Sequence, residues 1–478
     1  MLYWPGGLLT AALLALAVPS WGAVYHVAPN GSDRAPGTAA QPYATIGYAI
    51  NTLKAGDELL VHGGVYAITA PIRPRVSGTA GAWITVAAAP GQTPVIDAAG
   101  MLQAPDGTPI SRRAVGAIQV QDVSYLRFEG LHVRESHAVG IMVTRNAEHI
   151  DVLHCVVDHT YAPGIFLYQH PKYLRVIGCE LTRTNDLAMR DPGEPLRREA
   201  PHEALSIAGA EYFEIADNRV HGCHKEGIDC KETSKHGVIH DNEVYDMPRQ
   251  GLYVDAWFGE LSDVELYGNY VHNCEWGVAI SVEGRGAHMD DVRIHHNVLA
   301  HNRASGIFFG VWGQNGPRKD VYIYNNTVYG NGRPKHWAGA TGGIDVRSTN
   351  LSDVWIVNNI VWDNACFEIS TFAAPDEAAR LLAEKHIVIE NNLTSRFHDE
   401  SSGDGGIFNP TWAYRGIGSI VADPQFVDAP KGDFALEPGS PARGAAKALV
   451  PFATGPDLGA SSAWQGKATA TAPANAGR

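Results

Sequence analysis

Residues 238–247 read VIHDNEVYDM, and the same phrase returns as EIADNRVHGC (214–223), ELYGNYVHNC (265–274), RIHHNVLAHN (293–302), YIYNNTVYGN (322–331) and WIVNNIVWDN (355–364). Each copy is a short apolar alternation, a polar residue and Asn, then a second short alternation. A truncated copy, IVIENNLT, follows at 387–394. Two earlier copies, LHCVVDHT (153–160) and IGCELTRT (177–184), carry Cys in the Asn slot. The slot is filled in turn by Cys155, Cys179, Asn218, Asn242, Asn269, Asn297, Asn326, Asn359 and Asn392, at steps of 24, 39, 24, 27, 28, 29, 33 and 33 residues. A second set of strands interleaves with the first: GIMVT (140–144), GIFLY (164–168), ALSIA (204–208), GIDCK (227–231), GLYVD (251–255), GVAIS (277–281), GIFFG (306–310) and GIDVR (343–347).

Strands this short bury nothing alone, but successive turns stacked about 4.8 Å apart bury a continuous core and pair in parallel. The Asn column then has a physical meaning. Asn tolerates left-handed backbone at a sharp corner, and stacked amides hydrogen-bond from turn to turn. A propeller needs four strands per blade at a longer period, and a leucine-rich solenoid needs a Leu framework that is absent. The fold expected is all-β: a single-stranded right-handed parallel β-helix with an asparagine ladder and a capping helix near the N-terminus.

Composition agrees with a folded, exported chain. Of 478 residues, 37 are Lys or Arg and 51 Asp or Glu, giving a net charge of −14, with 45% hydrophobic residues. That balance is globular, and the acidic surplus argues against nucleic acid or an anionic membrane as partner. LLTAALLALAV (8–18) is too short to span a bilayer, and with the small residues after it reads as a secretory signal peptide, 1–22. The expectation is a secreted or periplasmic monomer with no membrane span. Its six cysteines form no CxxC pair; they suit either up to three disulfides or buried free thiols.

At this point the chain resembles the right-handed parallel β-helix proteins of the pectate-lyase-like superfamily, polysaccharide lyases and their relatives. YHVAPNGSDRAPGTAAQPYATIGYAINTL (25–53) is similar to their N-terminal strand and capping helix, and DPQFVDAPKGDFALEPGSPARG (423–444) to their closing segment. The resemblance implies a solenoid over 23–445 and a C-terminal tail, 446–478, that is partly disordered.

Alternation along the Gly-led strands turns the second and fourth residues after Gly outward. On adjacent rungs this brings together Asp229, Lys231, Tyr253 and Asp255, with Glu283 and Trp312 extending neighbouring strands. The insertions 185–203, 313–319 and 331–342 gather near the same face. Lys231 is the candidate base for abstracting the C5 proton of a uronide, provided nearby cations and desolvation lower its pKa; the alternative is a salt bridge to Asp229 or Asp255. Tyr253 is a candidate acid. Trp257, Trp312 and Trp337 are candidate sugar platforms. Arg347 is a candidate carboxylate binder or a surface partner of Asp345. His202, beside the face, is a candidate substrate contact.

EGIDCK (226–231) is similar to the Asp-Gly-aromatic rung of calcium-dependent β-helix pectate lyases with a lysine base. That resemblance implies Ca²⁺ as cofactor, held by Glu226, Asp229 and Asp255, although no dense Asp quartet lies on neighbouring rungs. The expected function is therefore a polysaccharide lyase acting by β-elimination on a uronic-acid polymer. Three alternatives share the scaffold: a hydrolase using Asp229 and Asp255, a C5-epimerase, and a non-catalytic carbohydrate-binding surface protein. The Asn-Thr-Asp, Gly-His-Gly and Arg-Ile-Lys motifs of β-helix polygalacturonases are absent.

Overall fold

A computed structural model describes residues 22–103, 107–191, 195, 197–333, 341–395 and 410–460. Residues 1–21 of the expected signal peptide, Trp337 and the residues from 461 lie outside these residues. The chain winds as a right-handed parallel β-helix through three long sheets of 13, 13 and 11 strands. Pairing is parallel and in register from turn to turn, as in Ile165↔Leu205, Leu205↔Ile228 and Ile228↔Leu252. The residues facing inward from the third sheet, Ile165, Leu205, Ile228, Leu252, Val278 and Ile307 among them, are fully buried in one continuous core. At about 25 cal/mol per Å² of apolar surface, that column is what each turn gains by stacking on the last.

The first turn is closed by the helix Ile46–Ala49 and the 3₁₀ turn Ile50–Thr52, whose Ile46, Ala49 and Ile50 are buried. At the other end the antiparallel pair Phe426–Asp428 and Asp433–Leu436 folds back. Residues 446–460 prolong this closure. Lys447 and Asp457 carbonyls accept from the side chains of Asn358 and Asn325, each at 2.8 Å.

The asparagine ladder runs unbroken from Asn218 to Asn392. Each Nδ2 donates to Oδ1 of the next Asn at 2.9–3.0 Å, and the same Oδ1 accepts from the preceding Asn's backbone N–H. Below Asn218 the ladder ends on Cys179, whose N–H donates to Asn218 Oδ1 at 2.9 Å. One detail differs from expectation. The left-handed residue at each corner is the one before Asn: Asp217, Asp241, Gly268, His296, Asn325, Asn358 and Asn391, with φ of 52–62°. The ladder Asn holds the corner with its amide, and its predecessor makes the bend. That predecessor column is therefore Asp, Asn, His or Gly, the types that tolerate this region. A second ladder, Asn302–Asn331–Asn364, lines the corner after the second sheet with bonds of 2.9 Å. All six cysteines are free and buried: Cys155 and Cys179 stand in the ladder column, Cys223 and Cys274 in the column of the second ladder, Cys366 beside Thr341, and Cys230 faces the core from the third sheet.

Candidate functional site

Three successive strands of the third sheet carry the charged residues. Ser206, Asp229 and Tyr253 stand in one register column, and Ala208, Lys231 and Asp255 in the next. They point away from the core, as alternation requires, but not into open solvent. The segment ending at Glu203 and the turns after 256 and 283 lie over them, so Asp229 and Asp255 are almost wholly buried. The apolar outward residues are covered by apolar clusters of their own. Phe166 packs with Met142, Tyr161 and Met189, and Phe308 with Trp276, Ala304 and Trp312.

Lys231 Nζ lies 3.0 Å from Glu203 Oε1 and 3.4 Å from Asp229 Oδ2, and only 12% of its side chain is exposed. Ser206 Oγ donates to the other Glu203 oxygen at 2.8 Å. Lys225 reaches Glu203 at 4.0 Å and Glu226 at 3.6 Å, and Arg249 binds Glu226 at 2.9 Å and Glu199 at 3.0 Å. One rung on, the Tyr253 hydroxyl donates to Glu283, and Trp257 Nε1 donates to Asp255 Oδ2. Beneath them Arg318 is fully buried. Its guanidinium donates to the carbonyls of Gly310 (2.6 Å) and Gly316 (3.0 Å) and to Asn315 Oδ1 (2.9 Å).

The electrostatics correct one expectation. Burial works to lower the pKa of Lys231, but Glu203, Asp229 and Asp255 outweigh it and hold it well above the usual lysine value. Its neighbours are carboxylates more than cations, so in the resting protein Lys231 is an ammonium. Burial likewise works to raise Glu203, yet Lys231 and Lys225 hold it down, to about 2. Asp229 is pushed well up, by burial first and then, despite Lys231, by Glu203 and Asp255. Asp255 is pushed well up by burial and Glu283, and Tyr253 by burial, Asp255 and Glu283. Arg318, desolvated beside these groups, is brought down to about 10. Asp229 Oδ1 and Asp255 Oδ1 are buried without a hydrogen-bond partner, and Asp229 Oδ2 has the 3.4 Å ion pair with Lys231 in place of one. Orphan carboxyl oxygens and opposed pKa shifts in one place are features of sites that do chemistry.

The other sequence candidates fall differently. Trp312 is half-buried, its ring edge-on to Tyr253 (5.9 Å) and Trp276 (5.3 Å), so it buttresses Tyr253. His202 packs on Phe166 at 4.4 Å, and burial lowers it to about 4. Arg347 and Asp345 are ion-paired at 2.9 Å and completely buried, a core pair and not a surface one. Four rungs, roughly 19 Å, separate Arg347 from Lys231. Trp337 lies outside the described residues. Glu226, Asp229 and Asp255 already hold Arg249, Lys231 and Trp257, and no group of three or more His, Cys, Asp or Glu side chains among the described residues is disposed to hold a metal ion.

Sequence reasoning missed Glu203, Lys225, Arg249 and Arg318. Glu203 had a readable signal. It precedes Ala204, just as Glu226 and Gln250 precede Gly227 and Gly251, so the three form a polar column at the strand entrances.

Residues 25–195 match the family described as Pel9A-like, right handed beta helix region, and residues 203–399 the right handed beta helix region family. The chain is 24% identical to uncharacterized protein YwoF of Bacillus subtilis, over 91% of this chain and 97% of that one. It is 32% identical to pectate lyase PEL9 of Emericella nidulans over 114 residues, 23% of this chain and 27% of that one. The crystal structure of pectate lyase Pel9A superposes with a TM-score of 0.49 at 17% identity, covering 92% of this chain and 96% of that one.

Proposed function

Because the chain belongs to the pectate-lyase-like right-handed parallel β-helix proteins, we propose that it is an exported enzyme that cleaves a uronic-acid-containing polysaccharide by β-elimination at the Lys231 cluster. The observation that carries this reading is the buried ion pair of Lys231 with Asp229 and Glu203, set beside the carboxyls of Asp255 and Glu283. Elimination needs a base at C5, positive charge near the sugar carboxylate, and a proton for the leaving oxygen.

Burial opposes charge on both members of the Lys231–Asp229 pair. A glycan lying over the site strips away the remaining water. Transfer of one proton from Lys231 Nζ to Asp229, 3.4 Å away, then leaves a neutral amine facing C5 and a neutral carboxyl behind it. The amine takes the C5 proton, and the new ammonium stays beside the sugar carboxylate. Asp255, whose carboxyl burial and Glu283 hold well above the usual carboxylate range, delivers a proton to the leaving oxygen through the unpartnered Oδ1. Tyr253 positions Glu283 and so acts on Asp255 indirectly. No step of this scheme runs through a metal.

The test is the ultraviolet absorbance of unsaturated uronide on polygalacturonate, alginate, heparin, hyaluronan and chondroitin, with Ca²⁺ and then with chelator. Absorbance that disappears in a folded Lys231→Ala protein supports elimination, and the chelator arm decides the metal requirement. The raised carboxyls of Asp229 and Asp255 favour hydrolysis as the second reading, which new reducing ends without absorbance would establish. Inverted C5 configuration without cleavage means epimerisation, and binding without turnover a carbohydrate-binding protein.

A further inference from the structure

We infer that Phe258 and Arg285 form an outer contact point for an acidic glycan, an aromatic platform beside a carboxylate-binding guanidinium, at the edge of the Lys231 cluster. The inference rests on the proposed function and specifies the charge of its ligand. Phe258, at 77% exposure, is the most exposed large hydrophobic side chain among the described residues. A lone exposed apolar residue is ordinary, but this one stands on a turn that is fixed to the site. It follows Trp257, whose Nε1 is bound to Asp255 and whose ring lies 6.3 Å away.

The turn is also locked to the next one. Ala256 O accepts from the N–H of Glu283 (3.0 Å) and of Gly284 (3.3 Å). Gly284 has no room for a side chain, since a Cβ there would lie 1.5 Å from Trp257 O. Arg285 comes next on that second turn. It is exposed and has no hydrogen bond or ion pair among the described residues.

The chemistry of the site calls for such a cation. The cations of its floor are already engaged, Lys231 by Glu203 and Asp229, Lys225 by Glu203 and Glu226, and Arg249 by Glu226 and Glu199, and the whole chain carries −14. An acidic glycan nearing that floor is engaged first by a cation that stands outside these pairs. Arg285, without an ion pair among the described residues, is able to grip a carboxylate with two N–H groups, while the Phe258 ring suits the C–H-rich face of a sugar. Both positions lie outside the proton-transfer groups, so they act on binding.

Two measurements test this. In wild-type background, Phe258→Ala and Arg285→Gln are each expected to raise KM about tenfold with kcat changed less than about twofold, and Phe258→Trp to restore KM. In a Lys231→Ala background, calorimetry with acidic oligosaccharides and their methyl-esterified forms reads binding without turnover. Arg285→Gln should weaken only the acidic ligand, and Phe258→Ala both. If the wild type cleaves no uronan but binding falls in this pattern, the contact point stands and elimination falls. If cleavage is present and neither variant changes KM or binding, the contact point is overturned and elimination survives. Failure to bind any acidic oligosaccharide also overturns it.

Discussion

Lys231 Nζ lies 3.0 Å from Glu203 Oε1, joining a strand residue to one that stands 28 positions earlier, at the entrance to the neighbouring strand. Glu203 is the strongest of the three carboxylates that keep Lys231 charged. Replacing it with Gln removes a negative charge but keeps an acceptor for Ser206. The pKa of Lys231 is raised by this partner, so without it the neutral amine forms at lower pH. The rising limb of the pH–activity profile of Glu203→Gln should move to lower pH. Removing one partner of a buried pair should also cost about 3 kcal/mol of stability, moderated here because Asp229 remains. An unchanged pH profile in a folded variant would detach Glu203 from the proton transfer.

The asparagine ladder makes a sharper stability prediction. Asn269→Ala takes the acceptor from both the N–H and Nδ2 of Asn242, and the donor from the carbonyl of Ile239. Several buried polar groups lose partners at once, so the cost should be about 3 kcal/mol or more. Asn392→Ala, at the last rung, strands the donors of Asn359 and one carbonyl in the same way, but Asn269→Ala also takes a donor from Asn297 Oδ1 and from the carbonyl of Tyr267, so the Asn392 variant should cost less. Urea denaturation of the two variants measures the difference, and equal losses would mean that the rungs contribute independently of position.

The repeat was legible because every turn must solve the same two problems, closing a corner and pairing with the turn below, so the same residue types recur at Asn218 through Asn392. Alternation likewise gave the direction of Asp229, Lys231, Tyr253 and Asp255. It could not give their burial, because that depends on turns from elsewhere in the chain folding over the sheet. Arg318 shows the limit most clearly. In PRKDV it reads as a surface charge, yet carbonyls of Gly310 and Gly316 enclose it completely. Glu203 was hidden because the strand it introduces begins with Ala204 where most copies have Gly. The second ladder, Asn302–Asn331–Asn364, stands at the end of only three of the six quoted repeats, because Cys223, Met247 and Cys274 hold the same place in the earlier copies.

The cysteines offer a direct check on the corners. All six are buried and unpaired, and burial raises the thiols of Cys179, Cys223, Cys230 and Cys274. A thiol reagent should label none of them in the native protein and all six in denaturant, and reductant should leave Tm unchanged. Rapid native labelling, or a Tm that falls with reductant, would contradict these corners.

Glu368 is the last rung of the second ladder. Its Oε2 accepts from Asn364 Nδ2 at 2.6 Å, and Ser395 Oγ donates to its other oxygen. Burial raises its pKa from 4.5 to about 7, against those two hydrogen bonds. A carboxyl raised on folding binds its proton more tightly in the native state, so its contribution to stability is fully present below pH 4.5 and is lost as pH rises through 7. The shift corresponds to roughly 3 kcal/mol. Glu368→Gln mimics the neutral form and keeps an acceptor for Asn364. It should match the wild type near the acid end of that window and exceed it by about that amount above pH 8. Urea denaturation of both proteins across the window reads this directly, because pH effects common to the two chains cancel in the difference. Parallel curves would mean that Glu368 is ionised in the folded protein throughout and that the ladder ends on a carboxylate.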